Sequence, residues 1–419
     1  MKRILPFLLV LLSGCMFVQL KKEVVTLNTQ CYITGVLAAP PATGTNFAVV
    51  FQPSPAGARI VDVAVIAAQN QMVSFSLPWA TNYFLAAFCD INGNQRYEDG
   101  EPVWFHGAPS PVSFNPDRRS GQLPIQYSTT VNVPAQLLAD LRLARGDHRL
   151  SKLQHHEQIH IALGEVTTMA DPRFTTDAGS RGLWEPASSL TEQGVGIYFL
   201  EKYDPKRIPV LFVHGAGGTP LDWSSFAEKF DRKKYQLWFY SYPSGLRLAD
   251  CALLLDRGVE RLQAEYGFTQ LHVVAHSMGG LVSRRFLLTN VLDHHRPWVR
   301  KYVTISTPWR GAEAAALGVK HAPATVPSWI DMQIDSAYTR QLYAHSLTPQ
   351  VTYHLAFTYG GSKRMFLPES NDGTVSVDSQ MKIEAQTEAV AMRGFNETHE
   401  GVLHTDATIH WVEDVLGKP

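Results

Sequence analysis

Leu271-His272-Val273-Val274-Ala275-His276-Ser277-Met278-Gly279-Gly280 sets an apolar, β-branched run directly against a serine and two glycines. Such a run bounded by small residues reads as a buried strand that turns at once into a helix, with Ser277 at the turn. A turn this sharp strains the backbone at the serine, so small residues are needed where chains approach closely. Ala275 and Gly279 occupy those two positions. The same turn aims the Ser277 hydroxyl off the end of a sheet, at a helix N-terminus that favours developing negative charge. Ser277 is therefore a candidate nucleophile.

Outward from this turn, strands and helices alternate, the pattern of an α/β domain with a mostly parallel sheet flanked by helices. Pro209 to Val213 is a buried-strand run, and Thr219-Pro220 offers an N-cap with Pro at the first helical position, opening a helix through Phe230. Tyr235 to Tyr242 is the next strand. In the segment after it, Leu248, Ala252, Leu255, Val259 and Leu262 recur at spacings of four and three, one face of a helix that Gly267 would cap. Gly279 to Asn290 reads as a helix, and Val299 to Ser306 and Val351 to Thr358 read as strands. No internal repeat appears.

The elbow resembles that of the α/β-hydrolase superfamily, specifically bacterial lipases whose motif reads Ala-His-Ser-Met-Gly. The resemblance covers roughly residues 195 to 419 and implies an α/β-hydrolase fold, a serine carboxylic-ester hydrolase of lipase or esterase type, and no cofactor requirement. Val213-His214-Gly215-Ala216-Gly217-Gly218 looks like the oxyanion loop of these lipases. By the resemblance the donors to an oxyanion are the N–H groups of Ala216 and Met278, each able to supply roughly 3 kcal/mol to a transition state. The superfamily order is serine, acid, histidine. Asn371-Asp372-Gly373-Thr374-Val375 is similar to lipase acid loops and makes Asp372 the acid, with Asp378 and Glu369 as local rivals. Thr398-His399-Glu400-Gly401-Val402-Leu403, before a terminal helix from about Asp406, resembles the histidine loop and makes His399 the base. His404 and His410 compete for that role; His354 falls in a strand and His276 reads as packing beside the nucleophile. Thr304-Ile305-Ser306-Thr307-Pro308-Trp309-Arg310-Gly311 is similar to a segment shared by lipases and inositol deacylases. The poorly periodic stretch 311–349 reads as a lid or acyl-pocket segment, with Trp309, Trp329, Ile330 and Met332 as candidate acyl-site residues.

The chain has 419 residues, above the usual size of one domain, so two folded units are expected. Residues 24–135 read as short strands separated by Pro-, Gly- and Asn-rich turns: Tyr32 to Leu37, Phe47 to Phe51, Val61 to Ile66, Val73 to Leu77 and Tyr83 to Phe88. Without intervening helices they suggest a small antiparallel β-sandwich. Residues 136–163, which open within a short helix over Ala135 to Arg145, read as connection. His148, His155, His156 and His160 lie there without coherent ligand spacing. The hydrolase-like domain spans 164–419.

Asp90-Ile91-Asn92-Gly93-Asn94-Gln95-Arg96-Tyr97-Glu98-Asp99-Gly100-Glu101 spaces side-chain oxygens as an EF-hand-like calcium loop does: Asp90, Asn92, Asn94, Glu98 and Glu101, with the Arg96 carbonyl as a further ligand. Gln95 stands where such loops carry Gly, and the flanks read as strands. The alternatives are a structural calcium site and a polar turn held by Asx side chains.

At the N-terminus, Met1-Lys2-Arg3 precedes the apolar run Ile4 to Leu12 and then Ser13-Gly14-Cys15. The run is shorter than the ~20 residues that span a bilayer. Leu12-Ser13-Gly14-Cys15 looks like the lipobox of bacterial lipoproteins, which implies removal of residues 1–14 as a signal peptide, acylation of Cys15 with palmitate-like chains, and a membrane anchor. Met16, where an Asp would favour retention at the inner membrane, points to the outer membrane. With 37 basic and 38 acidic residues the formal charge is −1, which offers no broad field for nucleic acid. Cys31, Cys89 and Cys251 remain: Cys31 and Cys89 either pair or stay free, and Cys251 reads as buried in a helix. An acyl site points to an ester or lipid substrate; a surface-anchored binding or adhesion module, or an amidase or acyltransferase with the same residues, are the other readings.

Overall fold

The computed structural model describes residues 5–54, 57–66, 71–78, 82–95, 97–106, 112–113, 120–128, 159–362 and 367–418. The chain divides into two compact units, Met1–Val24 with Ala162–Pro419, and Val25–Ile161. The expected helix over Ala135 to Arg145, and His148, His155 and His156, lie outside the described residues.

In the smaller unit, β1 (Gln30–Leu37), β4 (Met72–Pro78) and β8 (Ser120–Ile125) form one sheet. A second contains β2 (Thr45–Ser54), β3 (Gly57–Val65), β5 (Asn82–Asp90) and β6 (Val103–His106), with the short β7 (Val112–Ser113) on β5. The alternation of β1, with Cys31, Ile33 and Leu37 buried, turns one face inward. These residues share a core with Ala48, Val50, Ala64 and Leu85 of the second sheet, so two sheets pack face to face as a sandwich. Pairing is antiparallel apart from β1 with β8, which run parallel. Cys31 and Cys89 sit in different sheets and both are free, buried thiols. Cys251 is free and buried as well, and burial raises its thiol well above its ordinary value.

The larger unit holds an eight-stranded sheet whose strands are β9 (Ile161–Val166), β10 (Val195–Phe199), β11 (Ile208–Val213), β12 (Tyr235–Ser241), β13 (Leu271–His276), β14 (Val299–Ile305), β15 (Thr352–Thr358) and β16 (Ala391–Phe395). Their spatial order is β16-β15-β14-β13-β11-β12-β10-β9. From β12 through β11 to β16 all neighbours are parallel, and β10 pairs with β12 antiparallel. Every residue of β13 is buried, as expected of a parallel strand covered on both faces. Helix Leu248–Tyr266 turns Leu248, Cys251, Ala252, Leu255, Val259 and Leu262 inward and ends on Gly267 at φ 66°, the left-handed cap that its sequence requests. The helix read from Thr219 is instead a 3₁₀ turn, Pro220–Trp223, followed by the helix Ser224–Lys229; Thr219 Oγ accepts the Leu221 N–H. After β11 the chain adds β12 on one side and returns to add β13 on the other. That reversal is a switch point, and crevices for ligands open beyond the carboxyl ends of strands there. Ser277 follows β13 at that position.

Among the described residues no helix is long and apolar enough to cross a membrane. Helix α1 (Leu5–Thr29) runs without a break through Cys15. Its residues up to Val24 group with the larger unit rather than with the sandwich.

Candidate active site

Ser277 has φ 52° and ψ −129°, a conformation side chains avoid, held because Ser277 N–H donates to Ile305 O at 2.9 Å and β13 runs directly into helix Met278–Leu287. The small residues have the expected reason. A Cβ on Gly279 would lie 2.5 Å from the carbonyl oxygens of Val213 and His214, and one on Gly215 would lie 2.9 Å from Ser277 Cβ.

His399 Nε2 stands 2.8 Å from Ser277 Oγ, and His399 Nδ1 stands 2.7 Å from Asp372 Oδ2. A carboxylate only accepts, so Nδ1–H donates to Asp372 and Nε2 is left to accept the serine proton. Asp372 is 1 % exposed. Its Oδ1 accepts the N–H groups of Thr374 and Val375, and its Oδ2 accepts Thr358 Oγ–H at 2.7 Å and Gln380 Nε2–H at 3.0 Å. Burial by itself would raise the Asp372 carboxyl, but the bonds from His399, Val375 and Thr358 outweigh it and hold the group below its ordinary value. The acid loop is also tied to the histidine loop, His399 N–H donating to Asp372 O at 2.9 Å.

The rival assignments separate clearly. Asp378 lies at the surface with Arg310, and His404 is exposed and meets Ser225 Oγ at 2.9 Å. His410 is exposed on the helix Asp406–Gly417. His354 is buried in β15, and burial with Lys301 nearby pushes it down to about 4. The His276 ring lies tilted at 4.7 Å from the His399 ring and donates from Nε2 to His399 O at 2.9 Å. Burial and the neighbouring His399 lower its pKa to about 3, so it stays neutral.

The loop after β11 passes over Ser277. His214 is buried, stacked on Tyr242 at 4.3 Å, and its carbonyl accepts the Tyr242 hydroxyl at 2.8 Å. Gly217, at φ 69°, donates its N–H to Ser244 Oγ at 2.8 Å. The amide of Ala216 remains at the cavity wall, and Met278 opens its helix, so the Met278 N–H has no intrahelical acceptor.

Above Ser277 lies a cavity of about 390 Å³, at the small end for ligand sites. Its apolar wall comes from Ala312, Ala314, Ala315, Trp329, Met332, Val375 and Leu403, and its polar side from Asp222, Glu400 and His404. Asp222 is pushed up to about 6, chiefly by burial and further by Glu400. Trp329 and Met332 thus fall where an acyl site was expected. Trp309 does not: it is fully buried between Tyr343 and Tyr353. Ile330 points to solvent. The stretch 311–349 forms the short helices Glu313–His321, Pro327–Asp331 and Ala337–Gln341. Its distal part is pinned by the buried Arg284, which donates to Leu342 O and pairs with Glu388.

In the Asp90–Glu101 turn the side-chain oxygens accept hydrogen bonds from within the turn. Asp90 accepts the N–H groups of Gly93, Asn94 and Gln95, and the Asn92 and Asn94 amides donate to Glu98. Glu101 accepts Ile91 N–H on one oxygen and Glu98 N–H on the other. Arg96 lies outside the described residues. Among the described residues no group of three or more His, Cys, Asp or Glu is placed to hold a metal ion.

Strand order, elbow and overlying loop define the α/β-hydrolase fold. The model of a family described as an alpha/beta hydrolase of unknown function (DUF915) matches residues 247–385. No curated protein matches the chain in sequence. Among solved structures, the mature lipase BlEst2 of Bacillus licheniformis is 19 % identical over 52 % of this chain and 94 % of its own, with a TM-score of 0.42. Lipase B of Aspergillus fumigatus is 15 % identical over 64 % of this chain and 67 % of its own, also with a TM-score of 0.42.

His214, Ser244, Thr358 and Gln380 carry no local sequence signal for these roles.

Proposed function

We propose that this chain is a serine hydrolase that cleaves carboxylic esters with an apolar acyl group of modest size. The observation that carries the reading is the continuous line Ser277 Oγ, His399, Asp372, with contacts of 2.8 and 2.7 Å. Ser277 Oγ attacks the ester carbonyl carbon while its proton passes to His399 Nε2. Asp372 holds the ring and balances the imidazolium. The charge that develops on the carbonyl oxygen faces the N–H groups of Ala216 and Met278. The tetrahedral species expels the alcohol oxygen, which takes the proton from His399, and leaves an acyl group on Ser277. Water, deprotonated by the same ring, then attacks the acyl carbon; the acyl carbon–Oγ bond breaks, Ser277 Oγ takes the proton back from His399, and the carboxylic acid leaves. All steps use this chain's own groups and water. The apolar wall formed by the alanines, Met332 and Leu403 supports an acyl rather than a charged substituent.

A fluorophosphonate probe and a series of p-nitrophenyl esters test this directly. Wild type is expected to label and to turn over short and medium chains, Ser277→Ala to do neither, and His399→Ala to lose activity that His404→Ala keeps. A wild type that neither labels nor hydrolyses any ester overturns the reading; hydrolysis of the matching anilides in preference to esters replaces it with an amidase.

The leader supports a second proposal: cleavage before Cys15, acylation of Cys15 and residence at the outer membrane. Incorporation of labelled palmitate that disappears in Cys15→Ser, with membrane fractionation, tests it.

A further inference from the structure

Beyond Cys15, helix α1 is fixed to the hydrolase unit by specific contacts. Phe17, Leu20 and Glu23 recur at spacings of three, one helical face, on which Leu20 is 0 % and Glu23 4 % exposed. A carboxylate is expensive to bury unless bonded, and Glu23 is fully engaged: it accepts the N–H groups of Ala187 and Ser188 at 2.9 Å and the Ser188 hydroxyl at 2.7 Å. Those donors begin helix Pro186–Glu192, whose own N-cap residue, Glu185, makes no capping bond. Glu23 therefore supplies from a distant segment both the cap and the negative charge that a helix start requires.

Six residues before Glu23, the Phe17 ring meets Trp184 edge-on at 5.8 Å, and Trp184 meets Trp329 edge-on at 5.4 Å. Trp329 lines the cavity over Ser277 and lies against Gly318, where an added Cβ would fall 2.4 Å from its ring. Three aromatic rings thus connect the N-terminal helix to the wall of the site. Next to them, apolar side chains reach solvent: Met16 and Val18 on the helix, Leu317 before Gly318 and Ile330 after Trp329. Lys21 and Lys22 are exposed one turn further along the helix.

We propose that Met16–Val24 is a docking strut that holds the anchored N-terminus against the Trp184–Trp329 wall, so that the cavity faces the lipid surface and Ser277 takes its ester from that surface. This rests on both the hydrolase and the lipoprotein readings. Cys15 lies two residues before Phe17, about 3 Å along a helix axis, so an acyl anchor there brings the bilayer to this face and no other. Met16, Val18, Leu317 and Ile330 meet the interfacial region, and Lys21 and Lys22 meet anionic headgroups. A strut of this kind raises the local concentration of membrane-borne ester at the cavity without altering the chemistry.

The test uses full-length lipidated protein reconstituted in phosphatidylethanolamine–phosphatidylglycerol vesicles that carry a fluorogenic ester lipid, with soluble p-nitrophenyl butyrate measured in parallel. Two variants loosen the strut: Phe17→Ser with Glu23→Gln, and a flexible Gly-Ser linker of about ten residues inserted between Met16 and Phe17, which frees the anchor and leaves the dock intact. Both are expected to keep soluble turnover within about two-fold and to lose about ten-fold or more on vesicles. Vesicle turnover that stays within about two-fold of wild type in the linker variant overturns the proposal, and that variant decides alone if the double substitution loses soluble activity through misfolding. Loss of the parent readings shows elsewhere: a wild type inactive on the soluble ester sinks the hydrolase reading, and a wild type without acyl label at Cys15 sinks the anchor and the strut with it.

Discussion

His276 Nε2 donates to the backbone carbonyl of His399 at 2.9 Å, so the residue before the nucleophile holds the loop that carries the base. The two lie 123 positions apart in the chain, with their rings tilted against each other at 4.7 Å. Since His276 is buried and stays neutral, its bond survives across the working pH range. His276→Ala is expected to lower kcat by about 10- to 100-fold with KM little changed, because a shift of about 1 Å in the base is enough to misalign the proton transfer. His276→Asn, which keeps a donor, should recover part of the loss. A variant with wild-type kcat would remove His276 from the list of positioning residues.

Thr358 and Gln380 donate to Asp372 Oδ2, the same oxygen that His399 engages. With those from His399 and Val375, the Thr358 bond helps to keep the Asp372 carboxyl low, and a carboxyl lowered by folding contributes stability above its unfolded value that is lost as pH falls through its folded value. Thr358→Val removes one bond, so Asp372 should rise. The acid limb of the pH–rate profile is then expected to move to higher pH and acid unfolding to begin earlier. Asp372→Asn should cost about 10⁴ in kcat while the fold persists. An unmoved acid limb in Thr358→Val would show that Gln380 and the backbone amides suffice.

Asp222 shifts the other way. With its folded pKa raised to about 6 by burial and Glu400, the folded state binds more protons than the unfolded chain between about pH 4 and 6, so this group's contribution falls as pH rises through that window. Asp222→Asn removes the ionisation. It is expected to raise Tm at pH 8 by about 2 °C and to leave Tm at pH 4 nearly unchanged. Paired thermal melts at the two pH values check this, and an equal change at both would assign the effect to packing.

The Asp90–Glu101 turn is held by its own side chains, so calcium is expected to shift Tm by less than about 1 °C at millimolar concentration, since only binding to the folded state stabilises it. Asp90→Ala should destabilise the sandwich by about 1–3 kcal/mol, because three backbone N–H groups lose their acceptor. A calcium-dependent rise of several degrees would restore the ligand reading of these oxygens.

Much of the site was legible locally because the elbow is a local device. A strained strand-to-helix turn needs small residues such as Ala275 and Gly279 around its serine, and the order of acid and histidine loops came from the resemblance to α/β-hydrolases. The sandwich strands were legible for the same kind of reason, since alternation has a period of two wherever one face is buried. Where expectation and structure part, distance is the cause. Trp309 has the composition of an acyl-site residue but packs between Tyr343 and Tyr353, partners that no local pattern announces. The calcium-like spacing of the Asp90 turn is equally the spacing of Asx turns, and the N–H bonds that Asp90 and Asn92 accept are bonds of that kind.

By itself, then, the sequence determined the α/β alternation, the strained turn at Ser277, the choice of residues small enough to surround it, and the two-sheet N-terminal unit, because each depends on contacts within a few positions. The tertiary structure alone decided that His399 rather than His404 meets Ser277, and that Thr358 and Gln380 hold Asp372. It also decided that Glu23 caps a helix 164 residues away. Those are hydrogen bonds between segments that meet only after the sheet has closed, and a buried donor or acceptor takes whatever partner the packing brings within about 3 Å.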